Sequence, residues 1–180
     1  MKNTLLIFYF LISFCCFGQY TEEFQKFAEQ LSPIKTEPYS LTFRKGQLKE
    51  KGTRTYYEVD GSEYYFITGK YSEYYSNGQV MIDAVYDDYG KNLSWKLYDG
   101  QGNLMEEYKT TKIDTDAKDL EGFLFKRSTW LITSDMKRHR FSPKICGWFM
   151  VLEGTKLNNK RIGIWKRYRP DGSVKKERSY

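Results

Sequence analysis

The chain has 180 residues, a length that predicts one domain, and 18% of its residues are aromatic, including 16 tyrosines. It has one histidine, and Cys146 is the one cysteine of its three beyond residue 16, so the sequence contains no Cys/His cluster to bind a metal. The net charge of +6 is unevenly distributed: residues 19–135 hold 15 basic and 20 acidic side chains, and residues 136–180 hold 13 and 3.

Residues 1–18 predict a secretory signal peptide. Lys2 precedes an apolar stretch that ends at Cys16-Phe17-Gly18, so we expect cleavage after Gly18 and a secreted or periplasmic protein. A retained membrane anchor is the alternative, but the stretch is short for a span. Lipoprotein anchoring is the minority alternative, because neither Cys15 nor Cys16 follows a small residue.

Residues 21–31 predict a short helix, and residues 19–37 a helix with a linker. Phe24, Phe27, Ala28 and Leu31 form one apolar stripe at helical spacing. We expect Thr21 to cap the start of the helix, Ser32-Pro33 to end it, and the stripe to dock on the sheet.

From residue 38 onward the pattern is typical of antiparallel strands. Segments 53–59 and 62–68 flank Asp60-Gly61, which predicts a type I′ hairpin, and segments 70–75 and 79–86 flank Asn77-Gly78 in the same way. Further hairpins are predicted for 93–98 with 103–108 and for 162–168 with 173–177. Aromatic residues favour such half-buried surfaces.

The turns recur with an aromatic residue before them, as in Tyr75-Ser-Asn-Gly78 and Tyr168-Arg-Pro-Asp-Gly172. Gly78 and Gly102 are 24 residues apart, which is typical of stacked repeats. In such an array the helix would cap the N-terminal end. Residues 110–159 lack the turn signature and are expected to be an irregular insert or degenerate repeats, with strands at 122–125, 130–133 and 147–152.

The stretches YYSNGQVMIDAVYDDYGK, KLYDGQGNLMEEYK and GIWKRYRPDGSVKKERSY resemble units of the MORN-repeat-variant family of bacterial proteins, whose members are often labelled antitoxins of the YwqK type. The resemblance covers residues 71–108 and 154–180 well and residues 38–69 loosely. It implies that residues 38–180 form repeated antiparallel β-hairpins in an elongated, twisted, single-layer meandering sheet. The expected fold class is therefore mainly β, with the short N-terminal helix as a cap.

No catalytic constellation is predicted, and no cofactor or metal. His139 lies in a cationic run and is expected to be a solvated surface residue. The acidic residues between Asp114 and Glu121 fail the EF-hand calcium template, since Asp119 stands where glycine is required, and favour a solvated loop. The pairs Asp87-Asp88 and Glu106-Glu107 are expected to point to opposite faces of their strands.

Cys146 precedes an apolar run. The sequence favours a small buried side chain there, with intermolecular disulfide pairing as the alternative.

The C-terminal residues combine cations with aromatic rings. Three roles are predicted for them. They could protect an edge strand, or bind an anionic surface or an acidic partner. Binding of nucleic acid is the role least expected of an exported protein. The candidate anionic-partner surface comprises Lys160, Arg161, Lys166, Arg167, Arg169, Lys175, Lys176 and Arg178. The candidate aromatic binding surface comprises Tyr75, Tyr98, Trp165 and Tyr168.

These features predict an exported, non-catalytic binding or scaffold protein that engages a protein or polysaccharide partner in the cell envelope. One alternative is a carbohydrate- or peptidoglycan-associated enzyme with its site in residues 110–159. The other is peripheral membrane association through the basic C-terminal segment.

Overall fold

A computed structural model describes residues 19–180, so the predicted signal peptide lies outside the described part of the chain. Ten antiparallel strands form one open meandering sheet in which spatial order equals chain order. The predicted mainly β fold class is confirmed. The elements are α1 (Glu22–Ala28), β1 (Pro33–Thr42), β2 (Leu48–Val59), β3 (Ser62–Tyr74), β4 (Val80–Tyr86), β5 (Asn92–Tyr98), β6 (Leu104–Thr115), α2 (Leu120–Phe125), a 3-10 turn (Arg127–Thr129), β7 (Trp130–Ser142), β8 (Gly147–Leu157), β9 (Lys160–Tyr168) and β10 (Val174–Ser179).

One type of five-residue turn recurs along the sheet. In the turn between β3 and β4, the Tyr75 N–H donates to the Gln79 carbonyl over 2.8 Å and the Gly78 N–H donates to the Tyr75 carbonyl over 2.9 Å. Gly78 has φ +85°, so the turn is a type I turn closed by a left-handed glycine, a G1 bulge. The same two hydrogen bonds close the turns at 43–47, 87–91, 99–103 and 169–173.

A type I′ turn is predicted for each of two hairpins, and the structure has it in only one of them. At Asp60-Gly61 both residues have positive φ, 50° and 73°, and the prediction is confirmed. At Asn77-Gly78 it is wrong, because only Gly78 is left-handed. Asn77 uses its side chain instead, donating from Nδ2 to the Gly100 carbonyl of the neighbouring turn over 2.9 Å.

The aromatic residue that precedes each turn is Tyr74 in the first copy, not Tyr75 as the sequence pattern indicated. Tyr74, Tyr98 and Tyr168 occupy equivalent positions, each ending a strand and pairing with the first residue of the next. Tyr75 lies one position later, inside its turn. The turn at 87–91 is a further copy that the sequence search missed, because a tyrosine rather than Asn or Asp precedes Gly90.

Unequal strand lengths leave a notch in the sheet. The β4 and β5 strands have seven residues each, whereas their neighbours β3 and β6 have 13 and 12. The β3–β4 pairing reaches Gly69 and Tyr86, and the β5–β6 pairing reaches Ser94 and Lys109. Residues 62–68 of β3 and 110–115 of β6 therefore run past the short hairpin on either side of it.

The main hydrophobic core fills this notch. Phe24 of α1, Ile113 of β6 and Phe123 of α2 are 1%, 0% and 0% exposed, and the rings of Phe24 and Phe123 lie 4.9 Å apart. The buried cluster consists of Phe24, Ala28, Leu31, Tyr57, Ile113, Phe123 and Leu124. The second layer that the sheet needs is thus supplied by the two helices.

The predicted N-terminal helix is confirmed, but it is shorter and differently placed. It is capped by Thr21, whose hydroxyl accepts from the Phe24 N–H over 3.3 Å, and it ends at Ala28. The Thr21 N–H donates to the Ile113 carbonyl over 3.0 Å, so the helix starts over the middle of the strand order rather than capping the outer strand β1. The first strand begins at Pro33, within the predicted linker.

Residues 110–159 continue the sheet instead of interrupting it. Strands predicted around 130–133 and 147–152 are confirmed as parts of β7 and β8. The strand predicted at 122–125 is wrong, because these residues belong to α2, where the Asp119 carboxylate accepts from the Gly122 N–H over 2.6 Å. The helix forms because a capping aspartate precedes an apolar run that the notch can bury.

Among residues 19–180, no helix combines the length and the apolar character needed to cross a membrane.

Candidate anion-binding face

Four of the eight predicted basic residues converge on one face of the last two strands. Lys176 pairs with Arg167, and Arg178 pairs with Trp165, so these side chains project together. They line an open depression of about 260 Å³. Its lining residues are Arg138, Leu152, Arg161, Trp165, Arg167, Lys176, Arg178 and Tyr180.

Trp165 forms the floor of the depression. It is 3% exposed, and its Nε1 donates to the Thr155 carbonyl over 3.0 Å. A Cβ atom at position 154 would lie 2.4 Å from the ring, so glycine is required at Gly154 for the ring to pack. Trp165 therefore supports the face, and its burial argues against the predicted role as an exposed binding aromatic.

Arg161 is held in place by two aromatic rings. Its guanidinium lies 4.5 Å from the Trp165 ring centroid, and Nη1 donates to the Tyr180 hydroxyl over 2.8 Å. This hydrogen bond and the nearby cationic side chains lower the pKa of Tyr180. A stacked guanidinium is pre-organised, and its remaining N–H groups suit planar carboxylate or phosphate oxygens.

Arg138 joins the face from β7, which sequence reasoning missed. It pairs with Leu152, which in turn pairs with Arg167, so it lies in register with the cations of β9. Its Nε donates to Glu106 over 2.6 Å. The cationic run around His139 contains Arg138, but only the pairing register of the strands shows that Arg138 lies on the basic face. The side chains that line the depression, all within the described range, include no carboxylate, although Arg138 itself is paired with Glu106.

The other predicted cations lie elsewhere. Lys166 points to the opposite face, where it pairs with Glu153 and Glu177. Arg169 and Lys175 line a second depression near the β9–β10 turn, which shares Arg167 with the first, and Lys160 begins β9 beside the β8–β9 turn. The predicted basic surface is thus divided between two faces and two turns.

The predicted aromatic surface does not come together. Tyr75 and Tyr98 are neighbours at adjacent turns, where the Tyr75 hydroxyl donates to the Tyr98 carbonyl over 2.8 Å. Tyr168 lies on β9 and donates its hydroxyl to Glu153. These contacts join consecutive hairpins, so the tyrosines carry a structural role.

Two single residues differ from their predictions. His139 is half-buried, and its Nδ1 is buried without a hydrogen-bond partner among residues 19–180, so the predicted solvated histidine is wrong. Cys146 is exposed with φ 47°, so the predicted buried cysteine is also wrong. The apolar strand begins at Gly147, and Cys146 belongs to the turn before it.

The acidic side chains near 114–121 have structural partners. Asp114 accepts from the Thr21 hydroxyl over 2.6 Å, and Asp119 caps α2. Within residues 19–180, no cluster of three or more His, Cys, Asp or Glu side chains is arranged to hold a metal ion. Glu106 and Glu107 do diverge, since they contact Arg138 and Lys137 respectively. Asp87 and Asp88 lie in the β4–β5 turn rather than on a strand as predicted.

A second polar cluster is enclosed in the notch and was not predicted. Lys91 is 1% exposed, and its Nζ lies 3.3 Å from the Trp130 ring centroid. Burial lowers the pKa of Lys91 to about 7 and raises the pKa of Asp87 to about 6. Asp87 accepts from the Tyr20 hydroxyl over 3.1 Å, and burial together with this carboxylate raises the pKa of Tyr20. The cluster is covered by aromatic rings, whereas the basic face is open to a partner.

No protein-family model matches this chain, and no curated protein matches it.

Proposed function

We propose that this protein is a non-catalytic binding protein that engages an anionic partner, a protein or a polysaccharide, through the basic face of β7–β10. The observation that carries the proposal is the convergence of five cationic side chains around Trp165, of which only Arg138 contacts a carboxylate among residues 19–180. The five are Arg138, Arg161, Arg167, Lys176 and Arg178.

Electrostatics supports this assignment. Like charges that converge on one face repel one another, and an anionic ligand relieves that repulsion. Four of the five cations are arginines, whose planar donors favour bidentate contact with carboxylate, sulfate or phosphate groups. Residues 19–135 carry an excess of acidic side chains, so the attraction is confined to one end of the strand order.

The envelope location is part of the proposal and rests on the predicted signal peptide. Cleavage after Gly18 would leave Gln19 as the first residue. N-terminal sequencing of the protein recovered from cells tests this expectation.

Membership of the MORN-repeat-variant family is likewise a proposal, supported by the recurrence of one turn type along a meandering sheet.

Binding to two defined polyanions tests the function. We expect purified protein to bind polyglutamate or polygalacturonate, with an affinity that falls as salt rises. The double variant Arg161→Glu/Arg167→Glu is expected to lose at least about tenfold in affinity. The matched control is Lys137→Glu/Lys166→Glu, which changes the net charge equally on the opposite face.

Equal losses in the two double variants would contradict a specific face, because only net charge would then matter. Failure to bind either polymer would also overturn the proposal. Vesicles that contain anionic lipid provide a third comparison, and binding to vesicles alone would replace the soluble partner with a membrane surface.

A further inference from the structure

We propose that the free edge of β10 receives an extended acidic segment of a partner protein, which adds to the sheet as an eleventh strand. This inference rests on the proposed function and deepens it by naming the partner as a polypeptide. It combines two observations: the orientation of the β10 backbone, and the spacing of the cations on the face behind it.

Among residues 19–180, the outward main-chain groups of β10 have no hydrogen-bond partner. The Gly163 N–H donates to the Tyr180 carbonyl over 3.2 Å, and the Tyr180 N–H donates to the Gly163 carbonyl over 3.0 Å. In an antiparallel ladder, mutually bonded pairs alternate with pairs whose N–H and C=O groups point away. Glu177 and Ser179 therefore direct their main-chain groups outward, and every residue of β10 is exposed.

The side chains of β10 match an acidic strand. Lys176 and Arg178 are two residues apart on the basic face, and alternate residues of a strand are separated by about 6.6 Å. Carboxylates at alternate positions of an added strand would have the same spacing. They would lie beside these two cations, with Arg167 and Arg161 behind them, where opposite charges on neighbouring strands attract.

The opposite edge of the sheet is built differently. The outer strand β1 contains Pro33 and Pro38, which lack the main-chain N–H that an added strand needs. The β10 strand contains no proline, and it is backed by the packed Trp165. Cations on an edge strand also discourage self-association, because two copies of β10 would repel each other. The same charges leave the edge open to an acidic segment.

Fluorescence anisotropy with a short labelled peptide of alternating Glu and Thr residues tests the inference. We expect Arg178→Glu to weaken binding by at least about tenfold. Lys166→Glu is the matched control, since it makes the same charge change on the opposite face, and it should weaken binding much less. A peptide N-methylated along the edge that would pair with β10 keeps its charge and should bind at least about tenfold more weakly.

Substitutions of Glu177 distinguish strand addition from simple charge attraction. Glu177→Pro removes a negative charge and also removes an outward N–H, at a position where an edge strand tolerates proline. Charge attraction alone predicts unchanged or tighter binding, whereas strand addition predicts weaker binding. Glu177→Thr removes the same charge, keeps the N–H, and should bind as tightly as the native protein or more tightly. Native-like fluorescence from the four tryptophans verifies that each variant keeps its fold.

The results of these binding experiments distinguish failure of strand addition from failure of the proposed anion-binding function. If polygalacturonate and the N-methylated peptide bind as well as the unmodified peptide, strand addition is overturned and the anion-binding face stands. If Glu177→Pro binds the unmodified peptide as tightly as Glu177→Thr does, strand addition is likewise overturned. If none of these anionic ligands binds, both proposals fail together.

Discussion

Lys91 shows how strongly the notch alters the properties of a single side chain. Its Nζ has no hydrogen-bond partner among the described residues and contacts the face of Trp130. Burial disfavours the ammonium form, which lowers the pKa from 10.5 to about 7. Between those two pH values the unfolded chain holds a proton that the folded chain has released, so stability rises with pH across this window.

We expect Lys91→Met to raise the free energy of unfolding at pH 7, because the variant removes a buried charge and keeps most of the side-chain volume. A lowering of the pKa from 10.5 to about 7 corresponds to at most about 5 kcal/mol. The gain should shrink steadily from pH 7 towards pH 10.5, because the unfolded chain also loses the proton of Lys91 as the pH approaches 10.5. Urea denaturation at pH 7 and pH 9.5 measures both values.

Lys96→Met, at an exposed position of β5, is the control and should show no such pH-dependent gain. Destabilisation by Lys91→Met at both pH values would mean that the contact with Trp130 outweighs the penalty of burial.

At the residue scale, local signals predicted the cap at Thr21 and the glycine of each predicted turn. They did not predict Lys91, because Asp-Tyr-Gly-Lys has the composition of a solvent-exposed turn. The aromatic rings that bury it come from α2 and β7, outside the segment in which the lysine lies. Burial of this kind is a property of the assembled fold and has no local pattern.

The recurring turn is the element that sets the register of the meander. In the turn between β5 and β6, the Asp99 carboxylate accepts from the Gln101 and Asn103 N–H groups, each over 2.9 Å. Gly102 has φ +85°, a conformation that side chains with a Cβ rarely adopt. The turn therefore depends on both a carboxylate at its start and a glycine near its end.

Gly102→Ala is expected to lower the free energy of unfolding by about 1–2 kcal/mol, because alanine must adopt the left-handed conformation. Gly100→Ala in the same turn is the matched control. Gly100 lacks positive φ, and a Cβ there meets no atom within 4 Å, so this change should be nearly neutral. Equal effects of the two substitutions in thermal denaturation would refute the argument from backbone conformation.

At the element scale, alternation and Asp-Gly or Asn-Gly signals predicted most of the strands. The helix α2 was missed because Phe123, Leu124 and Phe125 are adjacent apolar residues, a pattern that also suits a buried strand. The basic segment was predicted as one surface because its residues are close in sequence. Strand alternation sends Trp165 and Lys166 to opposite faces, and only the pairing register adds Arg138.

At the scale of the whole molecule, the helical layer is local. The helices α1 and α2 cover the notch, and elsewhere in residues 19–180 no helix covers the sheet. Structures built from neighbouring repeats derive their stability from contacts between adjacent units. We therefore expect opening of the C-terminal hairpin to be largely independent of the notch.

Phe24→Ala should destabilise the notch by about 3–5 kcal/mol, because it removes a fully buried ring. Hydrogen exchange followed by mass spectrometry should show faster exchange around Tyr57 and Ile113, with little change in β9 and β10. Phe141→Ala is the control, since Phe141 is 46% exposed. Uniformly faster exchange through β10 would contradict independent behaviour of the two ends.

The notch also bears on the order in which the chain folds. Each hairpin joins residues that are close in sequence, whereas Thr21 bonds Ile113 and Phe24 packs on Phe123 across long stretches of chain. Closing such long loops is slow compared with closing a hairpin. During synthesis, the helix α1 emerges first but cannot find its binding site until α2 has been made. The helix α1 therefore docks late although it is synthesised before the sheet, and until then its apolar stripe needs protection from other partners.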